Sequence, residues 1–79
     1  MAHINKVVRS INMRGEQQCV DVFVRPDGSF GFDEYRRDPE DPGRGWYSIG
    51  GYGGLEFSNA DLALGAALTA VYWLKAAIS

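Results

Sequence analysis

The stretch from Val20 to Phe32 leaves this chain little freedom in how it folds. Val20, Val22 and Val24 alternate with other residues, Arg25-Pro26-Asp27-Gly28 follows, and Phe30 and Phe32 resume the alternation. β-Branched and aromatic residues at every second position on either side of a Pro-Asp-Gly turn specify an antiparallel hairpin. Proline presets φ at the second turn position, and glycine takes the left-handed conformation that closes a three-residue loop. Such a loop sets Val24 opposite Phe30, Val22 opposite Phe32 and Asp21 opposite Asp33. One face then holds Val20, Val22, Val24, Phe30 and Phe32. The other holds Cys19, Asp21, Phe23, Asp33 and Tyr35, and is mostly polar.

The segment before the hairpin fits two templates. Ile4, Val7, Val8 and Ile11 have the spacing of a helix face, yet β-branched residues dominate and Arg14-Gly15-Glu16 has the character of a turn. A strand over 5–13, paired with 19–25, is the preferred reading, and a helix over 4–13 is the alternative. Residues 37–54 form a Gly-, Pro- and charge-rich connection with a short fourth strand at Trp46-Tyr47-Ser48-Ile49. Gly50, Gly51, Gly53 and Gly54 bracket Tyr52 and suit sharp bends. Leu55-Glu56-Phe57 briefly resumes extended structure.

A helix is predicted over 58–78. Ser58 is its natural N-cap, and Asp61 three residues later complements the dipole in the manner of a capping box. Leu64, Ala67, Leu68, Val71, Leu74 and Ile78 form one apolar face. Ala63, Ala66, Ala70 and Ala77 continue it, with Leu62 and Trp73 on its far flank, so that more than half the circumference is apolar. That is wider than one contact with one small sheet needs, and it points to self-association or a partner protein.

The 79 residues therefore predict a single small α+β domain over 1–79. Its strands lie within 3–36 plus the short fourth, in a three- to four-stranded antiparallel meander with one C-terminal helix packed on one face. The expected core is Val20, Val22, Val24, Phe30, Phe32, Leu64, Leu68, Val71 and Leu74.

Composition narrows the function classes. At 46% hydrophobic and 23% charged residues the chain is too apolar and too weakly charged for intrinsic disorder. Its formal net charge of -2 supplies no basic field for nucleic-acid phosphates. A single cysteine excludes an internal disulfide framework, and with a single histidine it does not make a zinc site in one chain. No metal or other cofactor is expected. Residues 1–12 offer no continuous apolar segment of a secretory signal, and 62–74 is too short for a membrane span. The lone thiol and the lack of an N-x-S/T site fit a reducing, cytoplasmic setting.

Catalytic constellations are weak. Cys19 and His3 are the only thiol–imidazole pair, and the strand reading separates them by on the order of 25 Å, at ~3.3 Å per residue. Gly50-Gly51-Tyr52-Gly53-Gly54 lacks the Lys-Ser/Thr of a phosphate-binding loop. Asp21 and Asp33, with Tyr35 on the same face, form a candidate carboxylate pair for a hard cation or acid–base work. The alternative is a solvated face bridged by Arg9 or Arg25. Arg36, Arg37 and Arg44 with Trp46, Tyr47 and Tyr52 make a cationic-aromatic neighbourhood. Such mixtures stack on bases in single-strand binders and equally form protein-interface hot spots. Asp38, Glu40 and Asp41 interleave with these arginines and cancel their charge, which favours packing or a protein partner. Trp73 sits mid-helix, where an aromatic is more often core than contact.

The order of elements is similar to the N-terminal part of HicB-type antitoxins. The matching residues are the strand over 20–25, the Asp27-Gly28 turn, the strand over 30–32, and Ser58-x-x-Asp61 leading into the alanine-rich 63–70. They cover about half the chain. This resemblance implies a toxin-binding or other protein-binding role. Together the residues predict a non-enzymatic interaction module, a homodimer self-associating through its C-terminal helix, that binds another protein through the back of the helix and the 46–52 loop. The candidate contacts are Arg36, Arg37, Trp46, Tyr47, Tyr52, Leu62 and Trp73. A single-stranded nucleic-acid binder using the 36–52 loop is the alternative.

Overall fold

The computed structural model describes residues 5–13, 15 and 17–78. Strands β1 (Lys6–Asn12), β2 (Gln18–Val24), β3 (Phe30–Arg37) and β4 (Trp46–Ser48) form one antiparallel sheet in chain order, followed by helices α1 (Ala60–Ala70) and α2 (Leu74–Ile78). This is a small α+β fold, as the alternation and the Pro-Asp-Gly turn require. The β2–β3 register pairs Val24 with Phe30, Val22 with Phe32 and Asp21 with Asp33. Gly28, at φ 90°, donates its N–H to Arg25 O at 2.9 Å and closes the turn. Asp27 braces it by accepting from the backbone and hydroxyl of Ser29.

The first segment is a strand and not a helix, with Asn12 opposite Cys19 and Ile11 opposite Val20. The register shifts between Val7 and Arg9, so Val8 is the extra residue of a bulge. His3 and Ile4, and Arg14 and Glu16 of the expected turn, lie outside the described residues. Among those described, no helix is long and apolar enough to cross a membrane.

The expected single helix over 58–78 is two helices. Asn59, and not Ser58, is the N-cap, its side chain accepting from Leu62 N at 2.8 Å. The cap must reach an N–H two or three residues on, and Asn serves as well as Ser. The break falls at Val71, whose backbone is extended (φ -105°, ψ 106°). A straight helix would turn Trp73 about 200° away from Val71. With the chain broken there, Val71, Trp73 and Leu74 are all buried. α1 lies over β2 and β3, and α2 reaches β1.

The core gathers Ile11, Val20, Val22, Phe32, Ala63, Ala67, Val71, Trp73 and Leu74. Phe30, Leu64 and Leu68, expected inside, are half-buried at its margin, Val24 is half-buried outside it, and Ile78 is exposed. Ala63 and Ala67 explain the difference. They are fully buried, so small residues face the sheet, the helix lies close to it, and the leucines fall to the flanks.

Candidate functional site

The helices occupy the Val20–Val22–Phe32 face and leave the alternate residues of the same strands on the other side. There, Ser10, Asn12, Cys19, Asp21, Tyr35 and Trp46 line an open groove of about 540 Å³. The register explains the set. Ser10 is opposite Asp21, Asn12 opposite Cys19, and Cys19 opposite Tyr35, while β4 brings Trp46 opposite Arg37. Ser10 Oγ donates to Asp21 Oδ1 at 2.6 Å. The Arg37 guanidinium lies 5.0 Å from the centre of the Trp46 ring, a cation–π contact across the β3–β4 pair.

Residues 49–57 run as a strap along the edge of β3 beside this face. Ile49 N donates to Glu34 O, and Phe30 and Phe57 exchange backbone hydrogen bonds in an isolated bridge. Arg25 ties the middle down. Its guanidinium donates to Gly53 O at 2.6 Å, Leu55 O at 2.9 Å, and Phe30 O and Ser29 Oγ at 3.2 Å. It also lies 5.0 Å over the Phe23 ring, which crosses Gly31 so closely that a Cβ there would sit 2.9 Å from the ring. Arg25 thus does not bridge the two aspartates. Asp33 is buried and holds the same strap, accepting from Ser48 Oγ at 2.7 Å, Glu34 N at 2.8 Å and Tyr52 N at 3.2 Å.

Burial pushes the Cys19 thiol up to about 11, with the Asp21 carboxylate adding to the effect, so it is protonated at neutral pH. Burial also raises Tyr35, and Asp33, Asp21 and Cys19 raise it further. Neither is activated as a nucleophile, which would need the opposite shift. No group of three or more His, Cys, Asp or Glu side chains gathers to hold a metal among the described residues. Asp21 and Asp33 are adjacent, but Asp33 is committed to the strap.

The candidate contacts are dispersed. Trp46 and Arg37 share the groove face. Arg36 and Tyr47 pair with each other one position along, and so lie on the opposite side of the sheet. Arg44 stacks on Tyr47 at 3.9 Å. Tyr52 turns inward, its ring 5.0 Å from that of Phe32. Arg36, Arg37, Trp46 and Tyr52 therefore form no single stacking platform. Trp73 is a core residue, its Nε1–H donating to Glu34 Oε2 at 2.8 Å, with Gln18 Nε2 on the same oxygen at 3.2 Å. Leu62 is 53% exposed on α1. Ser10 and Asn12, absent from the sequence candidates, enter the groove only through the β1–β2 register.

Compared with protein-family models, curated proteins and solved structures, the chain matches none. The likeness to HicB-type antitoxins accordingly rests on the order of elements alone.

Proposed function

We propose that this chain is a small, non-enzymatic protein-interaction module whose contact surface is the helix-free sheet face around Trp46. The observation that carries the proposal is the groove. Trp46 is 43% exposed at its wall, backed by Arg37, and Tyr35 lies on its floor. Trp, Tyr and Arg are the residues that anchor protein interfaces. The groove is open, whereas small-molecule sites enclose most of their ligand. The test is affinity capture with the full chain and with Trp46→Ala as bait. The expected result is one stoichiometric protein held by the first and lost by the second. Equal capture by both baits overturns the assignment of the surface. Nucleic acid in the eluate, with no protein, replaces it with single-strand binding.

Self-association through the helical side is the second reading. It is favoured by the exposure of Leu62 and of Tyr72, which is 90% exposed at the break between α1 and α2. Sedimentation equilibrium reads it directly. A mass that rises with concentration, and falls back in Leu62→Glu, supports a dimer. A concentration-independent monomer removes it.

A further inference from the structure

We propose that the groove receives a basic side chain, Lys or Arg, from the partner protein, seated on Asp21 between Trp46 and Tyr35. This rests on the reading of the groove as a protein-binding surface and names what the partner must carry.

The argument is one of charge complementarity. Asp21 and Asp33 are direct cross-strand partners, an arrangement of like charges that costs stability unless a cation neutralises it. Arg9 is opposite Val22 and so belongs to the other side of the sheet, and the cations on this side are engaged elsewhere. Arg25 is spent on the carbonyls of the strap, and Arg37 lies against Trp46. Asp33 is satisfied by Ser48 and two backbone N–H groups, and is buried. Asp21 is different. It lines the groove, is only half-buried, and takes a hydroxyl proton from Ser10. No Lys or Arg among the described residues forms an ion pair with it.

The rest of the lining suits a cation with an apolar stem. The indole of Trp46 and the ring of Tyr35 offer π surface beside the carboxylate. The phenol oxygen and the Asn12 side-chain carbonyl are acceptors for the remaining N–H groups of an ammonium or guanidinium. An anionic ligand would meet Asp21 head-on. A wholly apolar one would leave the carboxylate desolvated and unpaired.

The test uses the intact chain as bait for a displayed library of random nonapeptides at low salt. Peptides whose capture depends on Trp46 are then synthesised and their affinities measured. The expected result is a Lys or Arg at one fixed position. Replacing it with norleucine or citrulline weakens binding about tenfold, the loss of one charge-assisted hydrogen bond. Asp21→Asn weakens the basic peptide by a similar factor and leaves the uncharged peptide unaffected, so the two changes are not additive. The peptide arm leaves the protein unaltered, and the affinity of the uncharged peptide for Asp21→Asn reports whether that variant still folds. Trp46-dependent peptides with no basic position overturn this inference and leave the protein-binding reading standing. A library from which nothing is captured through Trp46 overturns both.

Discussion

The two faces of this sheet are built from the same strands by alternate residues, and they differ in what holds them. On the helix side Val20, Val22 and Phe32 are buried against Ala63, Ala67, Val71 and Leu74. Stability there comes from apolar area and close packing. On the open side Asp21, Asp33, Ser10, Ser48 and Arg25 are linked by hydrogen bonds to one another's neighbours and to the strap. The packing of the first face is non-directional. The second is directional and fixes where one loop and one groove lie.

Two residues of β3, one on each face, expose the contrast. Phe32 is fully buried and touches the rings of both Tyr52 and Phe57. Phe32→Ala is expected to cost about 3–5 kcal/mol, a large part of the roughly 5–15 kcal/mol by which a domain is stable. Urea denaturation of a 79-residue chain should show it largely unfolded or close to it. Tyr35→Phe, three residues on and facing the groove, is expected to change stability by no more than about 0.5 kcal/mol. Equal costs at the two positions would erase the distinction between the faces.

The strap gives the next largest effect. Arg25→Ala leaves the Gly53 and Leu55 carbonyls without their donor and uncovers the Phe23 ring. It is expected to cost about 2 kcal/mol, in the range for hydrogen bonds to charged groups. Arg25→Lys should recover little, because an ammonium does not reproduce the guanidinium fork that reaches several acceptors at once. Amide hydrogen exchange reads the consequence locally. Protection should fall over 49–57 and persist in β2 and β3. Uniform loss would mean that Arg25 supports the whole sheet.

The hairpin that floors the helix face was legible in the sequence and the strap was not, for a physical reason. Hairpin register follows from turn geometry and a period of two, both local, so Val22–Phe32 and Asp21–Asp33 were readable from Pro26, Asp27 and Gly28. Tyr52 reads as a residue in a glycine loop, and nothing local says that its ring belongs under Phe32 or its N–H on Asp33. Those contacts depend on Arg25 reaching residues 28 and 30 positions away. The break at Val71 was hidden in the same way. Helical spacing is satisfied through 58–78, and the backbone abandons it so that Trp73 can reach Glu34. In the groove, the Asp21, Asp33 and Tyr35 neighbourhood was readable from the hairpin. Ser10 and Asn12 needed the register of an edge strand that carries a bulge.

Alkaline pH separates the faces without mutation. The thiol of Cys19 is raised from 9.0 to about 11, and Tyr35 is raised above 10.0. Both groups favour their neutral forms in the folded protein. The stability they contribute is complete below the unfolded values and is lost as pH rises through the folded ones. The urea midpoint should therefore begin to fall above pH 9 and decline through about 11. Cys19→Ala with Tyr35→Phe should flatten that decline. Thiol reagents at pH 8 should modify Cys19 slowly in the folded protein and at once after unfolding. Rapid labelling of the native chain would place the thiol in water and remove burial as the cause.

Asp21→Asn gives the smallest effect and the most direct reading of what the open face is for. On the helix side every substitution away from the native side chain removes packing, and the expected sign is a loss. At Asp21 the exchange relieves repulsion from Asp33 across the strand pair and keeps an acceptor for Ser10. Stability should stay level or rise by up to about 1 kcal/mol, the scale of one cross-strand pair. A rise, measured by the thermal midpoint at low salt and diminished at high salt, identifies a carboxylate that the isolated domain holds at a cost. Such a residue is explained by what it meets from outside. A fall would make Asp21 a structural acceptor like Asp33, and the two faces would then differ in chemistry while serving the same end.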